Sequence, residues 1–399
     1  MSVATSSSSV EDRATALRRL SHALPNIRDQ AHVNMRVALS RWIKNRIHNE
    51  DDEMTLLPLL HLLESIVTAD DSGCVDGQFD TLVNRGLVYT LLQLLTRKDL
   101  PLSVSLSATK QLRVIAISID MFRDEDAQLS AILDYAVRKV ASVLEGLRAE
   151  GSNYAAYAET KYLMEVIGDC ASPSSLHTSI PFILSHDHLL PYLLNAAASD
   201  TEIGRVAGSP LLSIIECAED WERNTLLIRY ATLIPKAVAS LVKQIHKTPS
   251  CDFTSRALVK IGSCMRDAGF AVLVVQDRDV PGAVGFAVQH ALRSRCRIVK
   301  SNLDYLVQIA LDMLECTERT DLANPDDMLE HLVGSGLLVV ARSLHYARND
   351  FFGRLVIQRG VAAFRRLLSS HPQCVEGFRA AVKGGKSAVA DLATGFPAA

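Results

Sequence analysis

Aromatic side chains are scarce in this sequence, only 6% of 399 residues with two tryptophans, so no repeated tryptophan array can be built from it. Its eight cysteines form no Cys-x-x-Cys pair, which leaves zinc ribbons and thioredoxin-like motifs without support. A chain of this length can bury a large core without staples, so reduced intracellular thiols are the simpler reading. No apolar run approaches the roughly 20 residues of a membrane-spanning helix, and no membrane span is expected. Neither sign of charge dominates: 42 Lys and Arg face 45 Asp and Glu, with a net charge of −3. A balance of that kind argues against wholesale neutralisation of phosphates, and no nucleic-acid partner is expected. His-Glu-x-x-His, Gly-x-Ser-x-Gly and Gly-x-Gly-x-x-Gly are all missing, so the chain reads as non-enzymatic, with no cofactor, metal or small-molecule substrate expected. The start has neither a basic region nor an apolar stretch of the secretory type. The expected location is intracellular, in the cytoplasm, with the nucleus as the alternative.

What the sequence has is apolar periodicity. Hydrophobic residues make up 48% of the chain and recur mostly at spacings of three and four, with Pro and Gly falling between those patterns, which predicts an all-α protein. Only Ala271-Val272-Leu273-Val274-Val275 looks β-like, and a five-residue apolar run does not distinguish helix from strand. The helical pattern is self-similar. Ile66, Ile115, Ile167, Ile215, Ile261 and Ile309 stand 49, 52, 48, 46 and 48 residues apart. Three residues before each stands Leu63, Leu112, Met164, Leu212, Leu258 or Leu306. Three residues after each stands Ala69, Ser118, Cys170, Ala218, Cys264 or Asp312, small in five of the six. Spacings of three place the three columns on one helix face, so an apolar pair followed by a small residue predicts close packing on a neighbour. A second helix runs in register, with Val88, Val137, Leu189, Ala237 and Ala283 standing 22 residues after the isoleucines. Its starts are marked by Gly86, Pro235 or Pro281-Gly282. Arg85-Gly86-Leu87-Val88 is echoed by Ser335-Gly336-Leu337-Leu338 and Arg359-Gly360-Val361-Ala362. Phased repetition at this period is the mark of a helical solenoid, each unit burying its apolar face on the next.

The run Gly86-Leu87-Val88-Tyr89-Thr90-Leu91-Leu92-Gln93-Leu94-Leu95, followed by Leu112-Arg113-Val114-Ile115-Ala116 in the next long helix, resembles an armadillo repeat, with a mean period close to the upper end for HEAT units. The resemblance is at the level of fold and implies a right-handed superhelical solenoid of armadillo/HEAT-like repeats, period about 48 residues. In that family a ladder of asparagines falls one residue before the isoleucine column. Here the column reads Ser65, Val114, Val166, Ile214, Lys260 and Gln308, so an asparagine ladder gripping an extended peptide is not expected.

Other candidate chemistry has bland explanations. Gly384-Gly385-Lys386-Ser387 ends like a phosphate-binding loop, but the required first glycine is Ala380, which favours a flexible basic tail. His186-Asp187-His188 with His177 could offer metal ligands, and a capped loop before a helix explains them as well. Cys170 and Cys264 occupy the small-residue column, which indicates packing rather than nucleophilic reactivity. Arg293, Arg295, Arg297 and Lys300 form a basic cluster, read either as a solvated face or as a site for an acidic partner. Residues 51–80 carry eight acids and no Lys or Arg, whereas 331–399 carry nine basic residues against three acids.

The expected organisation is a Ser-rich disordered tail (1–9), a helical N-terminal cap (10–48), the repeat array (49–370), and a capping helix with flexible tail (371–399). Ser9 is read as the cap of the first helix, with a phosphorylatable serine as the rival. The expected function is a protein-interaction scaffold or adaptor whose concave face holds a partner segment, acidic or phosphorylated. If the armadillo phasing holds, Lys110, Tyr162, Arg256, Lys260, Asp304 and Gln308 share one groove with Arg297 near its end, and Arg256, Lys260 and Arg297 pair with the acidic segment. The alternatives are a regulatory or assembly subunit acting through homo- or hetero-oligomerisation, and an enzyme with an unrecognised site.

Overall fold

The computed structural model describes residues 10–23, 41–68, 86–122, 126–150, 154–171, 179–186, 188–199, 201–244, 252–277, 279–294, 302–316, 340–344, 351–383, 391–392 and 395. Every regular element among them is helical, with no strand. The chain divides into two compact units, Met1–Leu189 and Leu190–Ala399. The sequence carries no signal for a division there, since the apolar columns run on through it unchanged.

In the first unit the helices are α1 (Val10–Ala23), α2 (41–49), α3 (Glu53–Thr68), α4 (Leu87–Leu95), α5 (Leu102–Phe122), α6 (Asp126–Glu150), α7 (Tyr154–Cys170) and α8 (Ser179–Leu184). They stack as two rows. α1 packs on α3, α3 on α5 and α5 on α7, while α4 packs on α6 and α6 on α8. The columns read from the sequence account for the first row. Leu63, Leu112 and Met164, with Ile115 and Ile167, are all fully buried on α3, α5 and α7. Val88 and Val137 do the same for the second row on α4 and α6. Gly86 precedes α4 at φ 77°, a left-handed conformation that glycine alone adopts without strain, which explains why this helix begins at a glycine.

The second unit opens with α9 (Leu189–Ala197), the residue Leu189 itself falling at the boundary. It continues with α10 (Glu202–Cys217), α11 (Asp220–Arg229), α12 (Leu233–Gln244), α13 (Asp252–Cys264), α14 (Ala268–Gln276), α15 (Asp279–Arg293), α16 (Leu303–Cys316), α17 (Val340–Ser343), α18 (Phe351–Ser370) and α19 (Val375–Val382). Here the repeat has three helices. α10 packs on α13, α11 on α14 and α12 on α15; the first row continues through α16 to α18, and α15 packs on α17. Ile215, Ile261 and Ile309 with Leu212, Leu258 and Leu306 fill the first row's seam, each no more than 1% exposed. Cys264 and Ala218 are buried in the small-residue column, as their size predicts. Within each unit this is an all-α helical-repeat architecture.

The ambiguous run at 271–275 is helical, inside α14. Asp267 caps that helix by accepting from the Phe270 amide at 2.9 Å, and Phe270, Ala271, Val274 and Val275 fall on one buried face. One expectation needs correction. Arg359-Gly360 does not start a helix but lies inside α18, where Gly360 lets the helix approach Leu344. Helix α19 ends at Val382, where Lys383 leaves the helical conformation at ψ 125°. Ser9, Arg297, His177 and the glycines at 384 and 385 lie outside the described residues.

Gly204 marks the tightest helix entry. Thr201 caps α10 through the Gly204 amide at 3.2 Å, and a Cβ on Gly204 would overlap the carbonyl oxygens of Ala196 and Ser199. Those are backbone atoms with little room to move. Gly204→Ala is expected to destabilise the protein by about 1–3 kcal/mol. Gly146→Ala, inside α6 with open space around it, is expected to stabilise by about 0.5–1 kcal/mol. Paired denaturant titrations check both.

Candidate partner-binding face

Six of the residues assigned to a groove stand on first-row helices, and three of them, Lys110, Tyr162 and Lys260, contact a neighbouring helix. In the first unit, Lys110 on α5 is exposed and places its ammonium 5.4 Å from the centre of the Tyr162 ring on α7. Lys161 approaches the same ring at 5.9 Å. A cation over an aromatic face is attracted by the ring's quadrupole, so the two helices share an aromatic-cationic patch. Beside it Arg113 of α5 bonds Asp169 of α7 at 3.0 Å and pairs with Glu165.

The second unit has its own ladder. Lys260 on α13 donates to the Ser213 hydroxyl on α10 and lies 4.0 Å from the Glu216 carboxylate. Ser263 donates to the other oxygen of Glu216. The expected role of Lys260 as a free partner cation is therefore replaced by a role between helices. One turn further on, Arg223 uses all five of its donors internally. Nε reaches the Ile215 carbonyl at 3.0 Å, and Nη2 reaches those of Glu216 and Ala218 at 3.2 and 2.7 Å. Nη1 bonds Asp220 at 3.4 Å and Asp267 at 3.0 Å. A cation on the unpaired carbonyls ending α10 complements the helix dipole, and the bond to Asp267 ties that end to the cap of α14. Arg97 repeats the arrangement in the first unit, holding the carbonyls of Ile47, His48 and Glu50 at the end of α2. Arg359 on α18 grips Asp312 and Glu315 on α16, Nε to Glu315 being 2.8 Å. Burial holds the Asp312 carboxyl above the usual carboxylate range, although Arg359 pulls against that shift. Asp312 is the one large, charged member of the small-residue column, and Arg359 is the partner it requires.

Glu216, Arg223, Ser263, Arg266 and Asp267 surround a cavity of about 280 Å³ between the α10–α11 corner and the α13–α14 corner, floored by Ile215 and Cys264. Its chemistry is not nucleophilic. Burial first, and then the Glu216 charge, pushes the Cys217 thiol up to about 11, and the same causes raise buried Cys264 further. A thiol held protonated attacks nothing at neutral pH. The histidine candidate is likewise structural. His186 Nε2 stands 3.4 Å from Asp134 of α6, its Nδ1 3.4 Å from the Ser185 hydroxyl, and Asp134 also binds Arg138 at 2.8 Å. Among the described residues no three His, Cys, Asp or Glu side chains are grouped as metal ligands would be.

Arg256 on α13 is exposed and makes no side-chain hydrogen bond or ion pair among the described residues. Asp304 and Gln308 are half-buried on α16. Lys110 and Tyr162 belong to the first unit and the other described site residues to the second. Sequence reasoning missed Arg223, Arg97, Arg266 and Arg359, since nothing in a lone arginine tells which carbonyls it will meet. The exposed apolar positions Val259 (46%) and Tyr305 (40%) were also missed, because they look like helix-face residues of any kind.

No protein-family model matches this chain, and no curated protein matches it. Among solved structures, a crystal structure of importin beta is similar in fold at 12% sequence identity and a TM-score of 0.49. The match covers 97% of this chain and 52% of that one, so this chain spans about half its length. A likeness that weak says nothing about what this chain binds.

The arginine corner generates two predictions. Arg223→Met removes the arginine donors from three helix-end carbonyls and from Asp267 Oδ2 and is expected to cost about 3 kcal/mol, against no more than about 0.5 kcal/mol for Arg256→Met, measured by chemical denaturation. With its thiol raised to about 11, Cys217 is expected to alkylate roughly a hundredfold more slowly at pH 8 than in the unfolded chain, its rate rising about tenfold per pH unit up to pH 10. Peptide mass spectrometry after timed labelling reads that rate.

Proposed function

We propose that this chain is a non-enzymatic protein-interaction scaffold that holds a segment of a partner protein on the outward faces of its first-row helices. The observation that carries this reading is the pairing of exposed cations with accessible apolar surface on those faces: Lys110 with half-buried Tyr162 in the first unit, Arg256 with exposed Val259 in the second. Exposed cations beside apolar groups that keep some contact with water are what a partner with acidic and apolar side chains would cover. Lys260 is withdrawn from the binding set because Ser213 and Glu216 already hold it. Asp304 and Gln308 remain as polar groups at the edge of the second-unit face. The five described cysteines are free thiols, which is consistent with a reducing, cytoplasmic location.

A second reading, an assembly subunit, is favoured by α11, where Trp221 is 66% and Ile228 80% exposed seven residues apart on one helix face. Sedimentation at several concentrations separates the two readings: concentration-dependent self-association that Trp221→Ala and Ile228→Ser abolish would support assembly.

The scaffold reading is tested by affinity capture with the full chain, comparing wild type with Lys110→Glu and Arg256→Glu. A partner retained by wild type should fall about tenfold or more with these reversals and stay unchanged with Lys236→Glu on the second row. Equal recovery across all four proteins would overturn the assignment of these faces.

A further inference from the structure

The cavity at the α13–α14 corner is closed to a cation and open to an anion, by count of its donors and acceptors. Arg223 has no free donor, as its five N–H groups go to three carbonyls, Asp220 and Asp267. Asp267 accepts from Arg223 and from the Phe270 amide. Glu216 accepts from Ser263 and faces Lys260. Arg266 is different. It lies just past the end of α13, is exposed, lines the cavity, and makes no side-chain hydrogen bond among the described residues, its charge reaching Asp312 only through space. Along α13 and the turn that follows it, Arg256, Val259, Ser263 and Arg266 follow one another at spacings of three, four and three. The stripe therefore has an uncommitted arginine at each end and, between them, an apolar side chain 46% exposed. Ten residues of helix and turn separate the arginines by roughly 15 Å, which an extended segment covers in four to five residues.

Resting on the scaffold reading above, we infer that α13 is a two-point clamp for an extended acidic segment of a partner protein. One carboxylate pairs with Arg256, an apolar side chain covers Val259, and a second carboxylate four or five residues away enters the cavity mouth and bonds Arg266. Charge complementarity fixes the occupant. Among the described residues the charged groups on the stripe without a bonded partner are guanidiniums, whose planar forks suit carboxylates, and Val259 between them demands an apolar group that a bare anion lacks. Glu216 and Asp267 at the cavity wall are neutralised by Lys260 and Arg223, so the second carboxylate meets no unpaired like charge there.

The test uses the full chain and a phage-displayed library of random decapeptides. The clamp predicts selected peptides enriched in two acidic residues four or five positions apart with Leu, Ile, Val or Phe between them. Binding of a synthetic copy should weaken about tenfold or more in R256E/R266E, and measurably in R256Q/R266Q, with far-UV circular dichroism unchanged and K236E/K243E unaffected. Selected peptides that bind R256E/R266E as well as wild type but fail on K110E would overturn the clamp and leave the scaffold reading standing. Selection of no peptide above background would overturn both. A fluorescein-labelled 20-nucleotide single strand binding more tightly than any peptide, and lost in R256E/R266E, would also overturn the clamp, making the stripe a phosphate site.

Discussion

A first-row helix in this protein can bury its isoleucine column only against the first-row helix of a neighbouring repeat, and most of the architecture follows from that dependence. Each helix that carries the column has a leucine or methionine and an isoleucine on one face and, one turn on, a small residue in every case but Asp312 of α16. Fully burying each of the two larger side chains is worth about 1.5–3 kcal/mol, and neither is buried by the helix alone. The small position lets the next helix approach closely. α10, α13 and α16 satisfy this condition in turn in the second unit, and α3, α5 and α7 in the first.

Apolar seams fix distance but not register along the helices, and polar side chains supply the register. Arg113 reaches 52 and 56 residues forward to Glu165 and Asp169, Ser263 reaches 47 back to Glu216, and Arg223 reaches 44 forward to Asp267. These are separations of individual contacts, and they do not by themselves establish a repeat of 48 residues. They do explain why the polar face of the first row differs from the face of an asparagine-ladder protein. Much of its charge is spent between helices, and among the described residues Arg256 and Arg266 stand out because theirs is not.

The fold was legible in the sequence where one physical pattern repeated. The isoleucine column and the residue three before it predicted the buried seam of each first row, and the column 22 residues later landed on α4, α6, α12 and α15. Gly86 predicted a helix start because a left-handed residue there needs glycine. Gly360 misled for the same reason in reverse: a glycine inside a helix serves close packing against Leu344, and sequence alone does not separate the two uses. The site was only partly legible. Phase placed Lys110 beside Tyr162 correctly, since both occupy the same column on adjacent helices. It could not show that Lys260 would be captured by Ser213 and Glu216, because those partners lie on another helix and their side chains must be seen to converge. The carbonyl-binding arginines left no trace in the sequence at all, since their acceptors are backbone atoms.

Side-chain accessibility in the presence of a bound partner tests the central claim most directly, that the first-row faces are the binding surface. Hydroxyl-radical footprinting of the full chain, free and bound, reads this at aromatic positions on the first-row helices and on the other helices. The account predicts strong protection of Tyr162 on α7 and Tyr305 on α16, with Phe286 on α15 and Trp221 on α11 oxidised at the same rate in both states. Protection of Phe286 or Trp221 with Tyr162 and Tyr305 unchanged would contradict it.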